Sequence, residues 1–493
     1  MKIVKLLSVV LLVLVLSSCS QEKIVTIKGK FIGDKIPESI DYTIPINRTV
    51  FWGFKETVSL DSMGNFEFSL KLSETTFISL QYENIRKYMI IEPKIKFYEI
   101  TFDLSKMGNE LFVNSINNEG QKVINEFNYF PPNSIRVTKN IEKDMASIDE
   151  MIMKIHETKH KELNPLKKLL DDEKISPDFF NTAKTDRECY YSIVQAIICA
   201  NQMTKVDNKE YSQKLWETSY HKMNKGGESF FISTFFNTYL EKYLEFTSLK
   251  SFEFDTDEYI KKIRPIYENG KYHSYVIDEA KKVLEGDVLE FFIASYIYYS
   301  AFQKKYEKEL ISLFNQFKID FPNSRYQKYI YPLIEELLLY YEKIEGELSE
   351  EFTFFENGDD LYTLLDVTEL LKGKPIYIDV WATWCGPCKK EFENKKELDS
   401  LLKKYNVQML YLSIDDENKI AEWENTIKFY DLGGYHLRAN QNLKNNMEKL
   451  FGREDGAMVI PWYILIDENG NIVEKFANRP SQIKELEKML TEL

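Results

Sequence analysis

The stretch GKPIYIDVWATWCGPCKKEF, Gly373 to Phe392, decides the fold of the last part of this chain. Pro375 to Ala382 reads as a strand, and a helix is expected from near Pro387, where the missing proline N–H costs no backbone bond. Cys385 and Cys388 sit at that junction, separated by Gly-Pro. Unpaired N–H groups and the helix macrodipole stabilise a thiolate at the first of these positions and lower its pKa. Cys385 is therefore the candidate nucleophile. Cys388, one turn further in and more buried, is the candidate resolving thiol that breaks a mixed disulfide. A CxxC pair is also half of a zinc site, but a closed structural site needs four ligands. The last domain holds no second CxxC, and His436 is its one histidine. No metal is assigned, and no cofactor is expected beyond a redox-active disulfide between Cys385 and Cys388.

Working outward, residues 352–493 alternate strands and helices. Strands are expected at Pro375 to Ala382, Val407 to Asp415, Pro461 to Asp467 and Asn471 to Ala477, with helices near 387–404, 418–430, 440–451 and 480–492. The order β-α-β-α-β-β-α is thioredoxin-like, an α/β fold.

The segment Gly373 to Phe392, YLSIDDENKIAEW (Tyr411 to Trp423) and IPWYILIDENGNIV (Ile460 to Val473) together resemble the TlpA/ResA-type thioredoxin-like family, with a helical insertion before the last of them. The resemblance implies roles for four further residues. Pro461 corresponds to the cis-proline facing the active-site sulfurs, so that Ile460 and Pro461 form a platform on which an extended substrate peptide pairs. Asp379, six residues before Cys385, corresponds to the buried acid that takes the proton of the resolving thiol; on an apolar strand its pKa should be raised. A structural, hydrogen-bonded Asp is the other reading of that position. Trp384 is expected beside the thiols as part of the docking surface, and Trp462 is given no role.

Residues 1–18 read as a leader: Lys2 and Lys5 precede the apolar run LLSVVLLVLVL (residues 6–16), too short for a spanning helix of about 20 residues. LSSC, Leu16 to Cys19, resembles a bacterial lipoprotein box, which implies lipid attachment at Cys19 and anchoring to a membrane without a transmembrane helix. Residues 19–110 alternate apolar and polar positions, as in IVTIKGKFIG (Ile24 to Gly33), and are expected to form a small β-sandwich-like domain containing a hairpin at VSLDSMGNFEFSL (Val58 to Leu70). They resemble β-rich domains that precede thioredoxin modules in exported lipoproteins of anaerobic Gram-negative bacteria. Residues 111–345 turn to long 3.6-residue periodicity and are expected to be all-helical, before GELSEE (Gly346 to Glu351) leads into the thioredoxin-like domain, residues 346–493.

The bulk composition fits a multidomain globular chain: 493 residues, 44% of them apolar. A net charge of -14 argues against a nucleic-acid partner. Two of the five cysteines remain, Cys189 and Cys199. On one helix they lie about 15 Å apart, too far for a bridge, and are expected to be buried free thiols. His156, Glu157 and His160 spell HExxH, but Lys154, Lys159, Lys161 and Glu162 make that helix face a solvated one, so no metalloprotease is inferred.

The expected function is that of a lipid-anchored thiol-disulfide oxidoreductase of the cell envelope. Gly-Pro is the dipeptide of thioredoxin, whose potential of about -270 mV favours reduction of substrate disulfides. The expected partners are envelope proteins with disulfides and a membrane electron donor. The resemblance suggests cytochrome c maturation or general disulfide repair as the pathway. Two other readings stay open: a binding or scaffold lipoprotein in which the thioredoxin module is accessory, and a disulfide isomerase.

Overall fold

The computed structural model describes residues 22–493 apart from 106–109, 128, 130, 144, 146, 204–208, 224–227, 347–350, 356, 357 and 453–458. The leader, Cys19 and most of the GELSEE segment lie outside the described residues. The chain divides into two compact units, residues 1–295 with 324–326, and residues 296–323 with 327–493.

In the first unit, alternating burial along Lys23–Ile32 and Asn65–Leu72 turns every second side chain into a shared core. Two four-stranded sheets result. One orders Asn65–Leu72, Lys23–Ile32, Phe97–Asp103 and Glu110–Asn114; the other orders Lys55–Ser59, Ser39–Thr43, Thr76–Tyr82 and Ile85–Ile91. Val25, Ile27 and Phe68 of the first meet Ile40, Leu80 and Met89 of the second in one core, so the arrangement is a sandwich.

The hairpin expected at Val58 to Leu70 is not formed. Its turn exists, since the Asp61 carboxylate accepts the N–H groups of Met63 (2.9 Å) and Asn65 (2.8 Å). The strands on either side enter different sheets: Lys55–Ser59 pairs with Ser39–Thr43, and Asn65–Leu72 with Lys23–Ile32. Alternation reports which face a strand buries, not which strand it pairs with. The similar Asp467 turn does join two paired strands, Trp462–Ile466 and Ile472–Glu474.

Helices follow from Asn118–Asn125 to Gly286–Phe302. Ser147 starts the helix Ile148–Asp171 with a capping box closed by Glu150. Cys189 and Cys199 share the helix Pro177–Gln202, both buried and unbridged. Their thiols are pushed up by burial, that of Cys199 to about 12. His156, Glu157 and His160 are all exposed, on Ile148–Asp171. Among the described residues no helix is long and apolar enough to cross a membrane.

In the second unit, the sheet order is Ile472–Glu474, Trp462–Ile466, Ile376–Trp381, Gln408–Ser413, Gly434–Arg438 and Phe352–Phe354. Ile376–Trp381 is parallel to Gln408–Ser413 and antiparallel to Trp462–Ile466, giving a thioredoxin-like sheet. Two strands were absent from the sequence expectation: Gly434–Arg438, which lies between the helices expected near 418–430 and 440–451, and Phe352–Phe354 at the edge. Both are short, and their pairing is mutual, Tyr435 opposite Thr353. The helices Glu309–Asp320 and Gln327–Ile344, assigned by periodicity to the helical region, group with this unit. Tyr340 packs edge-on against Phe429 (5.2 Å), and Lys343 donates to the Phe429 carbonyl (3.2 Å).

Candidate redox site

The central strand Ile376–Trp381 is buried along its whole length, and alternation sends its side chains to two cores. Ile376, Ile378 and Val380 enter one; Tyr377 and Trp381 enter the other, which also holds Cys385 and Cys388. By the same alternation Asp379 projects toward the cysteine side.

Beyond Trp381 the chain turns sharply. The Cys385 N–H donates to the Ala382 carbonyl (3.0 Å), and Asp415 pins the turn from the neighbouring strand end. The Asp415 carboxylate, fully buried, accepts the Thr383 N–H (2.9 Å), the Thr383 hydroxyl (2.7 Å) and the Ser413 hydroxyl (2.7 Å). Sequence reading treated Asp415 only as a strand end. Its signal was an acid closing an apolar strand, where an unpartnered carboxylate would be costly. Asp415→Ala should leave these donors unsatisfied and lower stability by about 3 kcal/mol, read as a fall in the urea midpoint at constant slope.

Cys385 caps the helix Gly386–Glu391, with Pro387 in its first turn. The Cys388 N–H donates to Cys385 Sγ (3.1 Å), the bond that stabilises a thiolate once the bridge is open. Here the sulfurs are joined, with Cα atoms 5.3 Å apart. Cys385 is 4% exposed and Cys388 0%, so an incoming disulfide reaches Cys385 first.

Asp379 sits opposite Tyr411 on one neighbouring strand and Tyr463 on the other. Both carboxylate oxygens are buried without a hydrogen-bond partner. Burial, with a smaller contribution from the Glu391 charge, holds this carboxyl well above the ordinary carboxylate range. Glu391 itself accepts from the Ser481 N–H and hydroxyl (3.0 Å each).

The Ile460–Pro461 peptide bond is cis. Ile460 is half-buried and packs on the core that contains the two cysteines. Trp384 is 60% exposed next to Cys385, an outward wall and not a packed neighbour of the sulfurs; the buried indole is Trp381, edge-on to Phe392 at 5.3 Å. Trp462 is buried, donates to the Lys475 carbonyl (2.6 Å) and stacks under Phe476. His436 stacks on Tyr411 (5.2 Å) and donates to the Leu432 carbonyl through Nε2 (2.7 Å). Burial pushes its pKa down to about 4, so it is a neutral core residue. No group of three or more metal-ligating side chains occurs among the described residues.

Residues 350–490 match the Redoxin family. A thiol-disulfide oxidoreductase ResA of Bacillus cereus is 34% identical over 105 residues, 21% of this chain and 56% of its own length. The thiol:disulfide interchange protein DsbE of Vibrio cholerae is 34% identical over 104 residues, 21% of this chain and 50% of its own. The chain thus spans only about half the length of these curated relatives. A Bacteroides vulgatus protein solved in solution and named as a thiol-disulfide oxidoreductase is 34% identical, over 25% of this chain and 79% of its own, with a TM-score of 0.20. Taken with the cysteine pair at the end of the central strand, the family match and the curated likenesses show that residues 350–490 are a Redoxin-type, thioredoxin-like region similar to ResA and DsbE.

Proposed function

We propose that this chain is a membrane-anchored, extracytoplasmic thiol-disulfide oxidoreductase that reduces disulfides of envelope proteins through Cys385 and Cys388. The bridge between these two residues at the start of a helix, with only Cys385 reachable, is the observation that supports it most. In the reduced protein the Cys385 thiolate attacks one sulfur of a substrate disulfide; the other substrate sulfur leaves as a thiolate and takes up a proton. Asp379 in its ionised form, a stronger base for its raised pKa, accepts the proton of Cys388. The Cys388 thiolate then attacks Cys385 Sγ, expels the second substrate sulfur, and leaves Cys385 and Cys388 bridged after two electrons have passed to the substrate.

Ile460 and Pro461 form the proposed platform for an extended substrate segment, with Trp384 as its outer wall. Lipid attachment at Cys19 holds the chain at the membrane face, and a membrane electron donor restores the dithiol. The ResA likeness favours cytochrome c maturation or general repair of envelope disulfides as the setting.

Direction is tested by equilibrating the Cys385/Cys388 couple against redox buffers. A value near the thioredoxin potential of about -270 mV fits a reductase. A value near the DsbA potential of about -120 mV would make the protein an oxidant, and one near about -180 mV would favour the isomerase reading.

A further inference from the structure

Lys389 follows Cys388 directly, yet it is 2% exposed, an unusual position for a lysine. Its ammonium donates to the backbone carbonyl of Lys304 and lies 5.0 Å above the Tyr306 ring. Both partners belong to the turn between the helices Gly286–Phe302 and Glu309–Asp320, which precedes the Redoxin match.

That turn is held firmly. Lys304 and Tyr306 both adopt left-handed backbone conformations (φ 51° and 56°) that non-glycine residues keep only when their surroundings enforce them. The Tyr306 hydroxyl donates to Glu336 (3.0 Å) and lies 2.5 Å from the Tyr430 hydroxyl. Its ring stacks on Tyr340 at 4.1 Å, and its carbonyl accepts from the Tyr341 hydroxyl (2.6 Å). Lys304 bridges Glu336 and Glu393 (3.1 Å each), the latter on the short continuation of the redox helix.

We propose that the turn Gln303–Glu307 is a positioning element for the dithiol, fixing the Lys389 cation beside the redox helix so that it stabilises the reduced, thiolate-bearing state over the bridged one. The proposal rests on the oxidoreductase reading and deepens it by assigning tuning of the couple to a segment outside the Redoxin match. Lys389 is a positioning residue and does not touch substrate. Burial, with a smaller contribution from the Lys304 cation, lowers its pKa to about 8, while the charges of Asp415 and Glu336 oppose that shift, so the cation persists at neutral pH.

A unit charge held near a thiolate in partly buried surroundings changes an equilibrium by roughly tenfold. The test is equilibration of the full chain with a glutathione redox buffer at pH 7, for wild type, Lys389→Met and Tyr306→Leu. Both variants are expected to favour the bridged form, Lys389→Met by about tenfold, equal to about 30 mV for a two-electron couple. Tyr306→Leu should shift the same way by less, and it carries the test if Lys389→Met does not fold. A purely structural role would lower the melting temperature and leave the equilibrium constant within twofold of wild type, which overturns the proposal while the oxidoreductase reading stands. A wild-type bridge that never exchanges with glutathione overturns both.

Discussion

Cys385→Ser should lower insulin reduction by at least about 10³-fold, the largest effect expected of any single substitution in this chain. Hydroxyl cannot replace thiolate as the attacking group in disulfide exchange, and no neighbouring thiol can take over. Cys388 is fully buried beneath Cys385, and Cys189 and Cys199 are buried thiols with raised pKa values. Cys388→Ser should behave differently. It keeps the exposed-side nucleophile, so the first attack proceeds, but nothing resolves the product, and reaction stops after one substrate per enzyme. Cys189→Ser should leave turnover within twofold of wild type. The assay is insulin turbidity with dithiothreitol as reductant. A Cys385→Ser variant that retained a tenth of wild-type turnover would remove this residue from the nucleophile role.

Asp379→Asn should stabilise the chain at neutral pH and slow the resolving step together. The native carboxyl holds its proton well above the value of 3.8 that applies in the unfolded chain. Below that value both states are protonated and the carboxyl makes no ionisation difference. As pH rises, the unfolded chain releases the proton while the folded one retains it, so native stability falls until the folded pKa is passed. Asparagine does not ionise and lacks this fall. The stability gap between variant and wild type should be small at pH 4 and widen as pH rises toward 7, measured by urea denaturation. Loss of the proton acceptor should slow release of the mixed disulfide by roughly 10²-fold in rapid-quench experiments. A gap independent of pH would mean that Asp379 titrates alike in the folded and unfolded chains, and a resolving step at the wild-type rate would remove it from the mechanism.

The redox junction was legible because its chemistry is local. Strand, turn, cysteine pair and helix start are contiguous, so the spacing of Cys385 and Cys388 and the placement of Pro387 carry the reading by themselves. Asp379 and Pro461 were reachable only through the family resemblance, since each reaches the site through sheet pairing with Trp462–Ile466 or the strands beside it. Asp415 and Lys389 went unread for the same physical reason. Thr383 and Asp415 meet only when two parallel strands align, and Lys389 is buried by a turn more than eighty residues upstream, through the Lys304 carbonyl. Surface lysines are so common that no local signal separates one that will be covered. The strand Gly434–Arg438 was hidden by its shortness, and its partner Phe352–Phe354 by greater shortness still. In the sandwich, alternation identified inward faces correctly, but the Asp61 turn has the same sequence form whether its flanking strands pair or part.

The most direct test of the account is covalent trapping in the native envelope. Cys388→Ser, expressed with residues 1–18 intact and quenched with acid and a thiol-blocking reagent, should carry envelope proteins as mixed disulfides on Cys385, released by dithiothreitol and absent from the Cys385→Ser, Cys388→Ser double variant. A Cys388→Ser protein that is reduced, correctly located and free of any such adduct would contradict the proposed exchange reaction.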